Sequence, residues 1–193
     1  EIYTPRLSSA ASDVYKRQGA GTECIPRDGS MSNFWSVVLD LLRLRAGPED
    51  LPDKRGLTLL FIGLYVVQGV IASESLGGEH EPVRTLVSVG LQFGIIAAML
   101  AWRRQPERLQ QTLMAFAVTG LVIGLLAFML LLQADTGVNQ PLLALVWFAL
   151  LGWSLAVEAN IFRHALDISL PLGMLVTVML FAVNYLAIEL FFR

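Results

Sequence analysis

The sequence predicts an all-α integral membrane protein, a five-helix transmembrane bundle preceded by a short amphipathic interfacial helix. Residues 112–133 carry no charge over 22 positions, and at about 1.5 Å per residue such a helix crosses a hydrocarbon core about 30 Å thick. Apolar side chains surround this helix, which leaves no polar face for water. The hydrophobic fraction of 55% and the mean hydropathy of +0.61 also indicate a membrane protein.

The net charge and the cysteine count exclude some classes of function. A net charge of −2 is not that of a nucleic-acid-binding protein, which needs a concentrated basic surface. The one cysteine, Cys24, cannot form an internal disulfide, so it leaves the redox compartment open.

The first thirty residues lack both an apolar run and a helical period. Residues 1–18, EIYTPRLSSAASDVYKRQ, resemble translated sequencing-adaptor read-through, and residues 19–30 are rich in turn formers. A regular pattern begins at Met31. We therefore expect residues 1–30 to be a non-native or disordered extension, and Met31 to be the native start.

Residues 33–46 form the first regular element. Phe34, Val38, Leu41 and Leu42 share one face of a helix, while polar residues lie on another. The segment is too short and too charged to span a bilayer. It fits a helix lying at the membrane interface, and it fits equally a helix packed on the cytoplasmic ends of the spans. With the polar linker that ends at residue 56, it forms a region of its own.

The transmembrane domain is predicted over residues 57–193. Its five spans are placed at about 57–73, 85–102, 112–133, 141–157 and 168–192. Pro141 suits the first turn of the fourth span, whose helical pattern continues through residues 158–165.

Basic residues predict the orientation of the spans. Eight lie on the side of the segment before the first span, and two lie on the other side. The eight are Arg43, Arg45, Lys54, Arg55, Arg103, Arg104, Arg108 and Arg163. We therefore expect a multi-pass protein of a cell inner (cytoplasmic) membrane with a cytoplasmic N-terminus and an outside C-terminus.

Small residues spaced by four predict close helix packing. Gly90 and Gly94 have this spacing in the second span, and Gly120 and Gly124 have it in the third. The pattern fits packing within one chain and also fits a homodimer.

Polar residues inside the spans are few, and each invites a functional interpretation because burying such a group in lipid is costly. The set comprises Gln68, Gln92, Thr119, Asn184 and Glu189, with Glu158 and Asn160 near the inner end of the fourth span and Arg163 and His164 beside them. In one interpretation these residues bond between helices, with Arg163 and His164 pairing with Glu158 or Asp167. In the other, Gln68, Gln92, Thr119 and Asn184 line a polar path.

Sequence signatures of catalysis are absent. There is no nucleophile elbow, no glycine-rich phosphate loop and no HExxH pair. Glu79, His80 and Glu81 include metal-ligating types, but three adjacent residues rarely converge on one ion. We therefore predict no enzyme activity, no cofactor and no metal.

Two stretches resemble a bacterial group of small membrane proteins related to the Yip-domain proteins. They are residues 35–52, WSVVLDLLRLRAGPEDLP, and residues 160–166, NIFRHAL. The five closely spaced spans are similar too. The Asp-Leu-Tyr-Gly-Pro segment of eukaryotic Yip proteins is absent, so the resemblance does not imply binding of Rab GTPases.

The resemblance implies a non-enzymatic bacterial inner-membrane protein that binds partners or organises lipid and protein assembly. Its expected partners are the lipid bilayer and either another membrane protein or a second copy of the chain. The alternative function is a small transporter or channel subunit. The two functions predict different arrangements of the polar residues in the spans. A transporter or channel subunit requires that they converge, whereas an organising protein allows them to lie apart.

Overall fold

Six α-helices account for most of the chain in the computed structural model, which describes residues 31–75, 81–103, 108–134 and 140–193. They are α1 (Met31–Leu42), α2 (Arg55–Glu74), α3 (Glu81–Trp102), α4 (Leu109–Leu131), α5 (Pro141–Leu166) and α6 (Leu170–Phe191). A short 3-10 turn covers Pro48–Asp50. Phe34–Arg193 forms one compact unit. The predictions for residues 1–30, and for Glu79 and His80, lie outside the described residues.

The five helices α2 to α6 are long and apolar enough to cross a membrane, which confirms the predicted fold class. Their bounds lie within a few residues of the expected spans, except that α5 continues to Leu166. Pro141 stands in the first turn of α5, where its missing N–H costs no helical hydrogen bond. The helix ends where Asp167 takes a left-handed conformation with φ 51°.

The five spanning helices contact one another in a closed ring. Helix α2 packs against α4, α4 against α5, and α5 against α6. Helix α6 packs against α3, and α3 returns to α2. Consecutive helices run in opposite directions across the membrane, so the ring has two distinct ends. We call the end with the start of α2 and the end of α5 the core end, and the opposite end the cavity end.

Burial is concentrated toward the core end. Helix α4 is buried from Met114 to Thr119, and α5 is buried over most of its last ten residues. Phe116 of α4 and Phe162 of α5 lie with ring centroids 5.0 Å apart. Toward the cavity end, both helices are only partly buried or exposed, apart from Ile123 of α4. Dense apolar packing therefore fills one half of the ring and stops at the level of Thr119.

The amphipathic segment packs on this buried half. Val38 and Leu41 of α1 are buried, and the ring of Phe34 stacks on Phe61 of α2 at 5.3 Å. The outer face of α1 is mixed, with Trp35 and Leu39 exposed beside the polar residues Asn33 and Ser36. Of the two interpretations of this segment, the contacts favour packing on the spans.

Residues 42–51, which we call the linker segment, follow the last part of α5. Trp153 Nε1 donates to the Leu42 carbonyl at 3.0 Å, and Asn160 Nδ2 donates to the Ala46 carbonyl at 3.1 Å. Next, His164 Nδ1 lies 3.1 Å from a carboxylate oxygen of Glu49. The order of these contacts shows that the segment runs alongside α5 toward the core end.

The glycines of the spans differ in how much space surrounds them. A Cβ at Gly90 or Gly94 would meet no atom within 4 Å, and both residues are exposed. Neither residue therefore packs closely against another helix of the described chain. The spacing of small residues does not reveal which face turns inward. Packing against a second copy of the chain stays a prediction. At Gly173, which the sequence analysis did not select, a Cβ would lie 2.5 Å from the Ala159 carbonyl oxygen. The backbones of α6 and α5 therefore lie close together at this residue.

Substituting Gly173→Ala tests this contact. The added methyl group must displace the backbone of α5, and overpacking of this kind costs about 1–3 kcal/mol. Unfolding of the detergent-solubilised protein should therefore begin at lower temperature or denaturant concentration than for the parent chain. Gly90→Ala is the matched control, since its methyl group meets nothing and alanine favours the helix. Equal stability of the two variants would contradict the contact.

Candidate functional site

A cavity of about 760 Å³ lies inside the cavity end of the ring, and all five spanning helices line it. Its polar lining consists of Tyr65, Gln68, Ser73, Glu81, Arg84, Thr85, Ser88, Gln92, Ser154, Glu158, Asn184 and Tyr185. Its volume falls within the range of about 300–1,000 Å³ that is usual for small-molecule sites. We refer to this space as the main cavity.

The floor of the main cavity lies near the middle of the membrane. Tyr65, Gln92, Gly120, Glu158 and Leu180 line it at the deep end, each eight to eleven residues from the core end of its helix. At a rise of about 1.5 Å per residue this is about 12–17 Å, or about half of a 30 Å hydrocarbon core. From there the lining extends to Glu81 and Ile188, near the opposite ends of α3 and α6.

Several polar side chains at the deep end have no partner within the described part of the chain. No hydrogen bond or ion pair joins Glu158, Gln68, Gln92 or Ser154 to another described residue. All four residues are partly buried, and polar groups that are withdrawn from bulk water are usually hydrogen-bonded to protein, water or a ligand. Because all four line the main cavity, their hydrogen-bonding capacity is directed at whatever occupies it.

A second cavity of about 20 Å³ adjoins the first. Tyr65, Gln92, Ser154 and Glu158 line both, and Thr119 lines only the second. This volume holds about one water molecule. The Thr119 hydroxyl donates to the Ala115 carbonyl at 2.7 Å, so its hydrogen is used within α4. Glu158 therefore stands at the boundary between the main cavity and the packed core.

Asn184 and Ser88 form a reciprocal pair in the wall between α3 and α6. Ser88 Oγ donates to Asn184 Oδ1 at 2.7 Å, and Asn184 Nδ2 donates to the Ser88 carbonyl at 2.9 Å. Hydrogen bonds of this kind hold membrane helices together. Asn184 thus stabilises the ring while also lining the cavity.

Gly120 and Gly124 of α4 make room for two polar side chains of α2. A Cβ at Gly120 would lie 2.8 Å from the ring of Tyr65, and a Cβ at Gly124 would lie 2.6 Å from the amide oxygen of Gln68. Both glycines also line the main cavity. They allow Tyr65 and Gln68 to lie between the two helices at the cavity wall.

Ion pairs surround the far end of the cavity. A guanidinium nitrogen of Arg84 lies 3.2 Å from a carboxylate oxygen of Glu81, and another lies 3.7 Å from Glu189. The guanidinium also lies 5.9 Å from the ring centroid of Phe192. Arg84 is therefore held by two acids at the cavity end, whereas Glu158 lies at the floor of the cavity.

The polar residues at the core end connect neighbouring segments of the chain and do not face the main cavity. The pairing that was expected of Arg163 and His164 with Glu158 or Asp167 is not found among the described residues. His164 instead contacts Glu49, and Asp167 pairs with Arg108 at 3.0 Å. Arg163 is exposed. Asn160 is buried and holds the linker segment through Ala46. The contacts of His164 and Asn160 fasten the linker segment to α5, whereas that of Asp167 joins the end of α5 to the residue before α4. None of these residues lines the main cavity.

The sequence analysis missed Tyr65 and Ser154, which line both cavities. A signal for them exists in the helical spacing. Ser154 precedes Glu158 by four residues, and Tyr65 precedes Gln68 by three, so the members of each pair share a helix face. Ser88 stands in the same relation to Gln92. Polar residues at these intervals on three helices mark the faces that turn inward.

Comparison of the chain with protein-family models, with curated proteins and with solved structures found no match. Conclusions about function therefore depend on the geometry of the cavity.

A double-mutant cycle tests the pair between Ser88 and Asn184. Ser88→Ala and Asn184→Ala should be coupled by about 0.6–1.7 kcal/mol of unfolding free energy, as measured for polar contacts between membrane helices. The control cycle combines Asn184→Ala with Ser154→Ala, which has no hydrogen bond to Asn184, and should be additive. Additive effects in both cycles would show that the pair does not stabilise the ring.

Asn160→Leu tests the attachment of the linker segment. Loss of the donor leaves the Ala46 carbonyl without its partner, at a cost of about 1–3 kcal/mol. Hydrogen exchange of residues 43–51, followed by mass spectrometry, should become faster. Gln133→Leu is the control, because the exposed Gln133 amide bonds only within its own helix turn, to Met129. Unchanged exchange in Asn160→Leu would contradict the attachment.

Proposed function

We propose that the protein is a small-solute transporter of the membrane, with the main cavity as its binding site. The observation that carries this proposal is the convergence of unpartnered polar side chains from α2, α3 and α5 at mid-membrane depth, in a cavity of about 760 Å³. A polar group costs free energy in lipid, and one that faces the interior of a bundle typically marks a solute or ion pathway. The proposal involves no chemical change of the solute.

The geometry favours this function over an organising role. A protein that acts by binding partners at its lipid-facing surface has no need of polar side chains around an interior cavity. The discriminating feature was whether Gln68, Gln92, Thr119 and Asn184 converge. Gln68, Gln92 and Asn184 line the main cavity, whereas Thr119 lines only the small adjoining cavity. The organising role implied by the Yip resemblance, with its partner protein or second copy, stays a prediction.

The distribution of basic residues supports an outward-facing cavity. Seven of the eight residues of the more basic side lie in described segments at the core end, and such segments are typically cytoplasmic. In a bacterial inner membrane the cavity end would then face outside and take solute from there. Packed side chains such as Phe116 and Phe162 separate the site from the other side.

Uptake into liposomes containing the purified full chain tests the proposal. A labelled quaternary ammonium ion, an amino acid, a sugar and a carboxylate anion are offered separately, and at least one should enter faster than into protein-free liposomes. Ala127→Phe, which fills the cavity from α4, should reduce that uptake about tenfold or more, because a filled site no longer holds the solute.

Ala98→Phe is the matched control. Ala98 is exposed on α3 outside the cavity lining, so the same substitution there should leave uptake within about twofold of the parent. Uptake equal to that of protein-free liposomes for all four solutes would overturn the proposed function. Equal loss in both variants would show that the cavity is not the route.

A further inference from the structure

We propose that the solute is an organic monocation whose charge pairs with the carboxylate of Glu158 at the floor of the main cavity. This inference rests on the proposed function and names the substrate class of the same site. It follows from the charges that line the cavity, the aromatic groups in its wall and its size.

The charges of the lining leave one acid uncompensated. Among the described lining residues the charged side chains are Glu81, Arg84 and Glu158. Arg84 pairs with Glu81 at 3.2 Å and lies 3.7 Å from Glu189. No described cation lies within ion-pair distance of Glu158. A carboxylate removed from water without a partner is unfavourable, and a guest with one positive charge supplies that partner.

The wall provides the apolar and aromatic surface that an organic cation needs. Tyr65 stands beside Glu158 at the floor, where both line the small cavity. Trp147, Phe181 and Tyr185 line the main cavity farther out. Aromatic faces attract cations and bury the apolar groups that surround an organic charge.

The donor set and the volume argue against an inorganic cation. Calcium needs six to eight oxygen ligands, and magnesium requires near-ideal octahedral geometry. No cluster of three or more metal-ligating side chains occurs among the described residues. A cavity of about 760 Å³ is also far larger than a single ion requires. Gln68 and Gln92 are better suited to hydrogen-bond the polar groups of a larger guest.

An anionic guest is disfavoured for the same reason that a cation is favoured. Its charge would lie beside Glu158 at mid-membrane depth, where the surroundings screen charges less than water does. Arg84 could attract an anion to the far end of the cavity, but that arginine already contacts two carboxylates. Charge therefore gives the site its selectivity.

Protons should compete with the cation, because protonation removes the charge of Glu158. The other titratable groups that face the cavity are Tyr65 on α2, Glu81 and Arg84 on α3, and Tyr185 on α6, with Glu189 contacting Arg84. The described lining from α4 contains none. A variant at Glu158 separates the contribution of this residue to the pH dependence of binding from the contributions of the acids at the cavity end.

The test compares two ions of the same shape and opposite charge, tetraphenylphosphonium and tetraphenylborate. Their binding to the full chain in nanodiscs is measured by equilibrium dialysis, with protein-free nanodiscs to subtract partition into lipid. The phosphonium ion should bind at least tenfold more tightly than the borate. Its affinity should fall on acidification.

Two variants assign the selectivity to Glu158. Glu158→Gln should weaken phosphonium binding at least tenfold and remove the dependence on pH, whereas Glu158→Asp should retain a large part of both. Glu189→Gln changes an acid that does not line the cavity and should leave the affinity within twofold. Thermal unfolding of each variant shows whether it remains folded.

The results distinguish this inference from the function on which it rests. Equal binding of the two ions, or a Glu158→Gln variant that is folded and binds normally, would overturn the substrate class. Uptake of a neutral or anionic solute in liposomes would then still support transport. Absence of uptake for every solute would overturn the function itself.

Discussion

The structure depends on one constraint, that a polar group inside a membrane must find a partner other than bulk water. At the core end each buried polar group meets this constraint within the chain. Thr119 and Thr177 bond to carbonyls of their own helices, and Asn160 bonds to the linker segment. At the cavity end, Glu158, Gln68 and Gln92 do not, and there the helices separate around a cavity. The same physical rule thus gives a dense half and a hollow half.

Helix α5 connects these two halves because different faces of it serve each one. Ser154 and Glu158, four residues apart, face the cavity, while Trp153 and Asn160 hold the linker segment. Gly173 brings α6 against this helix so closely that a methyl group has no space. Since α5 is continuous from Pro141 to Leu166, a tilt or rotation that moves Glu158 also moves the contacts of the linker segment. The cavity lining and the attachment of the linker segment are therefore carried by one continuous helix.

Hydropathy predicted the five spans because lipid demands uninterrupted apolar helices, and that demand is local in the sequence. It also identified Gln68, Gln92, Glu158 and Asn184 as unusual. Their convergence could not be predicted, since it depends on how each helix is rotated in the ring. For the same reason Gly90 and Gly94 were assigned to packing although they face outward. The partner of His164 lies 115 residues away at Glu49, and a search among sequence neighbours could not find it.

The proposed function requires that the site open to both sides of the membrane, and the structure indicates which contacts at the core end would then have to break. The apolar contact between Phe116 and Phe162 blocks that side, and the linker segment covers α5 beside it. Few polar contacts hold the linker segment in place, among them those of Asn160, His164 and Gln111. A typical hydrogen bond contributes only about 0.5–1.5 kcal/mol net, but Leu42, Pro48 and Leu51 of the segment are also buried. A conformation in which the segment leaves α5 must therefore break apolar contacts as well. A guest that binds such an opened conformation more tightly than the closed one would shift the equilibrium toward the opened conformation.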